Sequence, residues 1–175
     1  MSRIIVLIGA MDSYLERLRL ELEDAAGGAE VVDLAKAPAE KWNAGQILEH
    51  LFLTYKHTNR GLEKCLEQGA PLATQATLKD RLATLLVVNL GYLPRGRKAP
   101  ERAVPRGMAP EEARQAIMPE LLRMGSGLDE CERRFGVGTK ILDHPILGPL
   151  TAEEWRKFHW IHGRHHARQI RERMG

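Results

Sequence analysis

The chain has 175 residues, 43% of them hydrophobic and 28% charged, which excludes a disordered polymer and leaves enough length to bury a core without disulfides. Its 26 Lys and Arg are interleaved with 23 Asp and Glu for a net charge of +3, a mixture that argues against a nucleic-acid partner. The apolar run from Ile4 to Ala10 lacks the basic flank and cleavage site of a leader, so no membrane partner and a cytoplasmic, single-domain protein spanning 1–175 are expected.

In chain order, Arg3 to Gly9 is the one stretch that reads as a short strand or an extra helical turn. A first helix is predicted over 12–26, with Asp12 at the N-cap, Leu15, Leu18 and Leu22 at helical spacing, and Gly27 and Gly28 as terminators. The second covers 43–68, opened by Asn43 with Gln46 at the capping-box position and striped by Ile47, Leu48, Leu51, Tyr55 and Leu62. The third covers 77–92, opened by Thr77 and Asp80, with Leu78, Leu82, Leu85, Leu86 and Val88 as its apolar side.

Residues 94–110 carry four prolines and read as a long loop, whose Arg95, Arg97, Lys98, Arg102 and Arg106 are solvated cations suited to a carboxylate if the loop folds over a site. A fourth helix follows from Pro110 to about 134, with Pro119 expected to kink or break it. Residues 135–150 form a turn-rich connection, and "GVGTK" within them lacks the spacing of a phosphate loop. The last helix starts at "TAEEW", with Thr151 and Glu154 as a capping box. The fold class expected is all-α: an up-and-down four-helix bundle with a long Pro-rich loop between the third and fourth helices.

The last helix contains "HWIHGRHHAR", four histidines in eight positions. On an α-helix His162 and His166 lie about 40° apart around the axis and one turn apart along it, so they can share one ion. Trp155, His159, Gln169 and Ile170 fall near the same stripe, which turns inward, and imidazoles there need partners for their nitrogens. A third ligand must come from another helix; His50, a polar residue in the apolar "GQILEHLFL", is the leading candidate and His57 its rival. Three imidazoles suit a divalent metal, zinc first, with nickel and iron compatible. The competing reading is a metal-free histidine patch. His144 is expected to cap or pack a turn, His159 to line the pocket or the core, and His165 to sit at the stripe's edge, behind a ligand or at the surface. Glu49, His57 and His165 are the loose candidates for a general base, and Cys65 and Cys131 read as buried, reduced thiols.

"KWNAGQILEHL" (41–51) together with "HPILGPLTAEEWRKFHWIHGRHHARQI" (144–170) resembles the DinB/YfiT-like superfamily of four-helix-bundle metalloproteins, over roughly residues 12–173. The second stretch is similar to the "HPxFGxLTxxEWxxFxxxHxxHHxxQ" pattern of an uncharacterised bacterial branch, with Leu147 where an aromatic is usual. The resemblance implies a metal held by His50, His162 and His166. It implies a small-molecule substrate and the thiol-dependent S-transferase or maleylpyruvate isomerase chemistry of relatives that use a low-molecular-weight thiol, while a metal-bound hydroxide would suit a hydrolase. The alternative of a different class is a non-catalytic bundle, its histidines binding metal structurally or not at all, whose surface serves homodimerisation or partner binding.

Overall fold

The computed structural model describes residues 12–36, 40–93 and 98–175. The expected strand or turn at Arg3 to Gly9, and Pro94, Arg95 and Arg97 of the basic loop, lie outside the described residues.

The described chain is mostly helical. Asp12 opens α1 (Ser13–Ala26) by accepting the Tyr14 N–H at 2.8 Å, and Leu15, Leu18 and Leu22 are buried along it. A short α2 (Val31–Ala35) follows. Asn43 and Gln46 close a reciprocal capping box at the start of α3 (Ala44–Gln68), which ends at Gly69 with φ 66°, a left-handed conformation that glycine adopts without a Cβ penalty. Thr77 and Asp80 do the same for α4 (Leu78–Thr84). The chain then widens into a π turn, Leu85–Asn89, closed by Leu90 N–H on Leu85 O at 3.0 Å. α5 (Pro110–Phe135) starts with proline at its first turn, where the missing N–H costs nothing, and α6 (Ala152–Met174) starts at the Thr151 and Glu154 box.

Leu15 and Leu18 of α1, Leu48 and Leu51 of α3, Leu121 and Leu128 of α5 and Ile170 of α6 belong to one buried cluster. Two close approaches set how the helices meet. Gly163 of α6 faces Leu18 of α1, whose Cδ1 would lie 2.1 Å from a Cβ built at that glycine. Gly45 at the start of α3 touches Pro110 in the same way, with a built Cβ 2.8 Å from the proline ring. Buried Arg156 of α6 reaches Asp129 and Glu132 of α5 at 2.6 and 3.1 Å.

The structure corrects four expectations. α5 runs through Pro119 without a break, because its apolar side, Ala113, Ile117, Leu121 and Met124, is held in the core on both sides of the proline. The connection 135–150 contains an antiparallel hairpin, β1 (Leu142–His144) with β2 (Gly148–Leu150), in the register Leu142 to Leu150 and His144 to Gly148. The third helix is α-helical only to Thr84, and its leucines face outward: Leu78, Leu82, Leu85 and Leu86 are all exposed. The helix at Val31–Ala35 was not expected at all, being too short to show a period. No described helix is long and apolar enough to cross a membrane.

Candidate metal centre

His50 lies on the interior side of α3, between Ile47 and Leu51, and is 4% exposed. His162 and His166 lie one turn apart on α6. The three side chains meet at their Nε2 atoms: His162 Nε2 is 3.1 Å from His166 Nε2 and 3.4 Å from His50 Nε2. Ring packing holds the planes in place, with Phe158 stacked on His162 at 5.4 Å and Trp42 tilted against His50 at 5.3 Å.

The outer nitrogens explain why the inner ones converge. His50 Nδ1–H donates to Ala103 O at 2.7 Å, and His166 Nδ1–H donates to Gln169 Oε1 at 2.7 Å. A proton on each of these Nδ1 atoms leaves a lone pair on the Nε2 of His50 and of His166, both aimed at His162 Nε2, which can donate to at most one of them. Charging the rings does not relieve this, because burial pushes His50 below its ordinary value, His166 down to about 3 and His162 well below 6.5, and the neighbouring rings push His162 and His166 the same way. His162 Nδ1 is sealed from solvent and has no partner among the described residues.

This donor set fits a divalent ion. Bonds of about 2.05 Å at tetrahedral angles place ligand nitrogens about 3.3 Å apart, close to the 3.1 and 3.4 Å found here. The ligand atoms of all three lie within 4.8 Å of one another. Neutral nitrogen donors suit zinc, nickel or iron over calcium or magnesium, which take oxygen.

Residues 22–173 match the family described as a protein of unknown function, DUF1569. The chain belongs to this family. No curated protein matches it, and no solved structure does.

The histidine cluster of this DUF1569 protein is braced from behind. Glu49, next to His50, is 2% exposed and accepts three backbone N–H groups, from Arg106 at 2.6 Å, Gly107 at 3.1 Å and Met108 at 3.0 Å. Its carboxylate therefore pins the loop that supplies Ala103 O, and with both oxygens occupied it is not placed to act as a base.

A cavity of about 1030 Å³ opens onto the cluster, and His50, His162 and His166 are part of its lining. His57, the rival ligand, also lines it but turns away from the cluster: its Nε2–H donates to Arg102 O at 2.9 Å. His165 lines the cavity beside His166, ring to ring at 5.2 Å. His159 is fully buried behind it, stacked on Trp155 at 5.5 Å; its Nε2–H donates to Thr58 Oγ1 at 3.1 Å. His144 holds the hairpin, its Nδ1 accepting the N–H groups of Ile146 and Leu147 at 3.2 Å each.

Arg102 and Lys98 of the basic loop line the cavity. Cys65 and Cys131 are free and buried, and burial pushes both thiols up, Cys131 to about 11. "GVGTK" follows the C-terminal end of α5, the negative end of that helix dipole and the wrong one for a phosphate. Gln169 and Ala103 are the site residues that residue-type reasoning passed over. The glutamine one turn beyond the histidine pair was a usable signal; the Ala103 carbonyl had none.

Proposed function

We propose that this chain is a metal-dependent enzyme acting on a small molecule, with one divalent ion on His50, His162 and His166. One observation carries the reading: three Nε2 atoms converge while the opposite nitrogens of His50 and His166 are tied to acceptors. Tying Nδ1 in this way orients an imidazole and raises its basicity toward a metal. When bound, the ion supplies Lewis-acid chemistry, acidifying a water or a thiol for hydrolysis or S-transfer. The chain's own residues hold the rings neutral by burial and shape the adjoining cavity for a substrate. Zinc is the first choice, with nickel and iron compatible.

The reading extends to the fold as an up-and-down bundle of the DinB/YfiT type, in which α1, α3, α5 and α6 are the four helices. It is supported by the lengths of those helices and by the division of the ligands, one on α3 and two on α6.

A second reading, a non-catalytic protein that pairs with itself or a partner, is favoured by the exposed leucines of α4 and its π turn. Metal analysis of protein purified without a tag tests the site, and turnover separates the two. One equivalent of a transition metal in the wild type and none in a His50→Ala, His162→Ala, His166→Ala triple variant supports the enzyme reading; equal and negligible metal in both removes it. Turnover is then sought by screening metal-loaded protein for thiol conjugation and for ester or amide hydrolysis.

A further inference from the structure

His144 presents a hydrogen-bond donor whose position is set by the backbone. Only N–H groups can serve as donors in its contacts with Ile146 and Leu147, so Nδ1 must accept and the ring proton must sit on Nε2. The ring packs on Phe158 at 4.4 Å and on Trp155 at 5.6 Å, which fixes its plane. His144 lines the cavity, and its Nε2–H has no hydrogen-bond partner among the described residues. Burial pushes its pKa down to about 4, and Arg102 acts in the same direction, so the ring stays a neutral donor at pH 7.

Arg102 is the second half of the observation. Arg19, Arg114, Arg123, Arg134, Arg156 and Arg171 each hold an acid. Arg102 and Lys98, which line the cavity, form no ion pair among the described residues. Arg102 lines the same cavity as His57 and His144, and its charge acts on both rings. The rest of the lining includes apolar side chains, among them Leu86, Ile146, Trp155 and Phe158. A volume near 1030 Å³ suits a drug-sized organic molecule, not an inorganic ion.

We propose that the cavity takes a small organic carboxylate with an apolar body, Arg102 pairing with its carboxylate group and His144 Nε2–H donating to one of its oxygens. The proposal rests on the reading of this cavity as the reaction site beside the metal, and it names the class of substrate. Guanidinium and carboxylate match in geometry as well as in charge. His144 fixes where the second oxygen sits.

The test is direct binding, read by tryptophan fluorescence and calorimetry on the full chain, with 4-phenylbutanoate as the probe and 4-phenylbutanamide as its uncharged control. Each is titrated with chelator and again with zinc. The variants are Arg102→Gln and His144→Asn; an asparagine Oδ1 can accept the same two turn N–H groups as His144 Nδ1, so the hairpin is kept while the donor into the cavity is lost. Wild type is expected to prefer the acid over the amide by at least about tenfold. Arg102→Gln should remove most of that preference. His144→Asn should weaken the acid several-fold with melting temperature and zinc uptake unchanged.

Equal affinities for acid and amide, no binding of the acid, or an acid affinity unchanged in both variants overturns the inference. Zinc uptake without any preference for the acid sinks this inference alone. Preference for the acid without zinc uptake sinks the metal reading alone.

Discussion

Glu49 accepts the backbone N–H of Arg106 at 2.6 Å, across 57 residues of chain, and in doing so joins the histidine cluster to the loop that braces it. The same loop brings Ala103 O to His50 Nδ1. Glu49→Ala strands three N–H groups and frees that carbonyl. The expected result is zinc affinity lower by about tenfold, the range seen when the outer partner of a ligand is lost, and a reduced melting temperature in chelator. Glu49→Gln keeps one acceptor oxygen and should recover part of both. Competition against a chromophoric chelator reads the affinity, and an unchanged value in Glu49→Ala would refute the bracing role.

Gln169 offers a second probe, because its side chain touches His166 and makes no hydrogen bond to the loop among the described residues. Gln169→Ala should weaken zinc by about tenfold with little change in melting temperature. Gln169→Glu puts a carboxylate behind the same ring, a stronger acceptor for the Nδ1–H found at 2.7 Å from the amide oxygen, and should bind zinc at least as tightly as wild type. Weaker binding in Gln169→Glu than in Gln169→Ala would show that the 2.7 Å contact does not orient the ligand.

What was legible in the chain was what is local. The boxes at Asn43 and Gln46, Thr77 and Asp80, and Thr151 and Glu154 each need a span of three residues, and all three form. The pairing of His162 with His166 follows from helical spacing, and His50 was marked by standing as a polar residue in an apolar stripe. The hairpin was not legible because its strands are three residues each, too short for alternation to show. The outward face of α4 was missed for a different reason: an apolar stripe says that a helix has a side to cover, not that this chain covers it. Glu49 and Ala103 act through contacts with loop and helix partners more than fifty residues away, which no local pattern encodes.

His159 and His144, away from the cluster, are expected to make the fold acid-labile. Burial pushes His159 down to about 3 and His144 to about 4, from an ordinary 6.5. Between 6.5 and those values the unfolded chain binds protons that the folded chain refuses. Stability is therefore complete above about pH 6.5 and falls as the pH drops toward 4, at up to about 1.4 kcal/mol per pH unit for a fully shifted group. Urea midpoints of chelated protein should decline from pH 7 to pH 5, at rates of roughly this order. His159→Leu removes one titrating ring and should flatten the decline; a slope equal to wild type's would mean that His159 is not among the groups responsible.

Gly163 lies between His162 and His166 on α6 and also sets the distance between α6 and α1. A Cβ there would fall 2.1 Å from Leu18 Cδ1 and 3.3 Å from the Tyr55 hydroxyl, and Leu18 is fully buried with no room to retreat. Gly163→Ala gains helix propensity but must push the helices apart or force Leu18 off its rotamer, so a net loss of about 1–3 kcal/mol is expected. Displacing the backbone between His162 and His166 should cost zinc affinity as well. Leu18→Ala alone leaves a cavity and is expected to lose about 2–5 kcal/mol. The two changes share one volume, so the double variant should be more stable than the sum of the single losses implies, with a coupling of about 1 kcal/mol or more. Strict additivity in chemical denaturation would mean that α1 and α6 do not meet at this pair, and the spacing of the histidines would then need another cause.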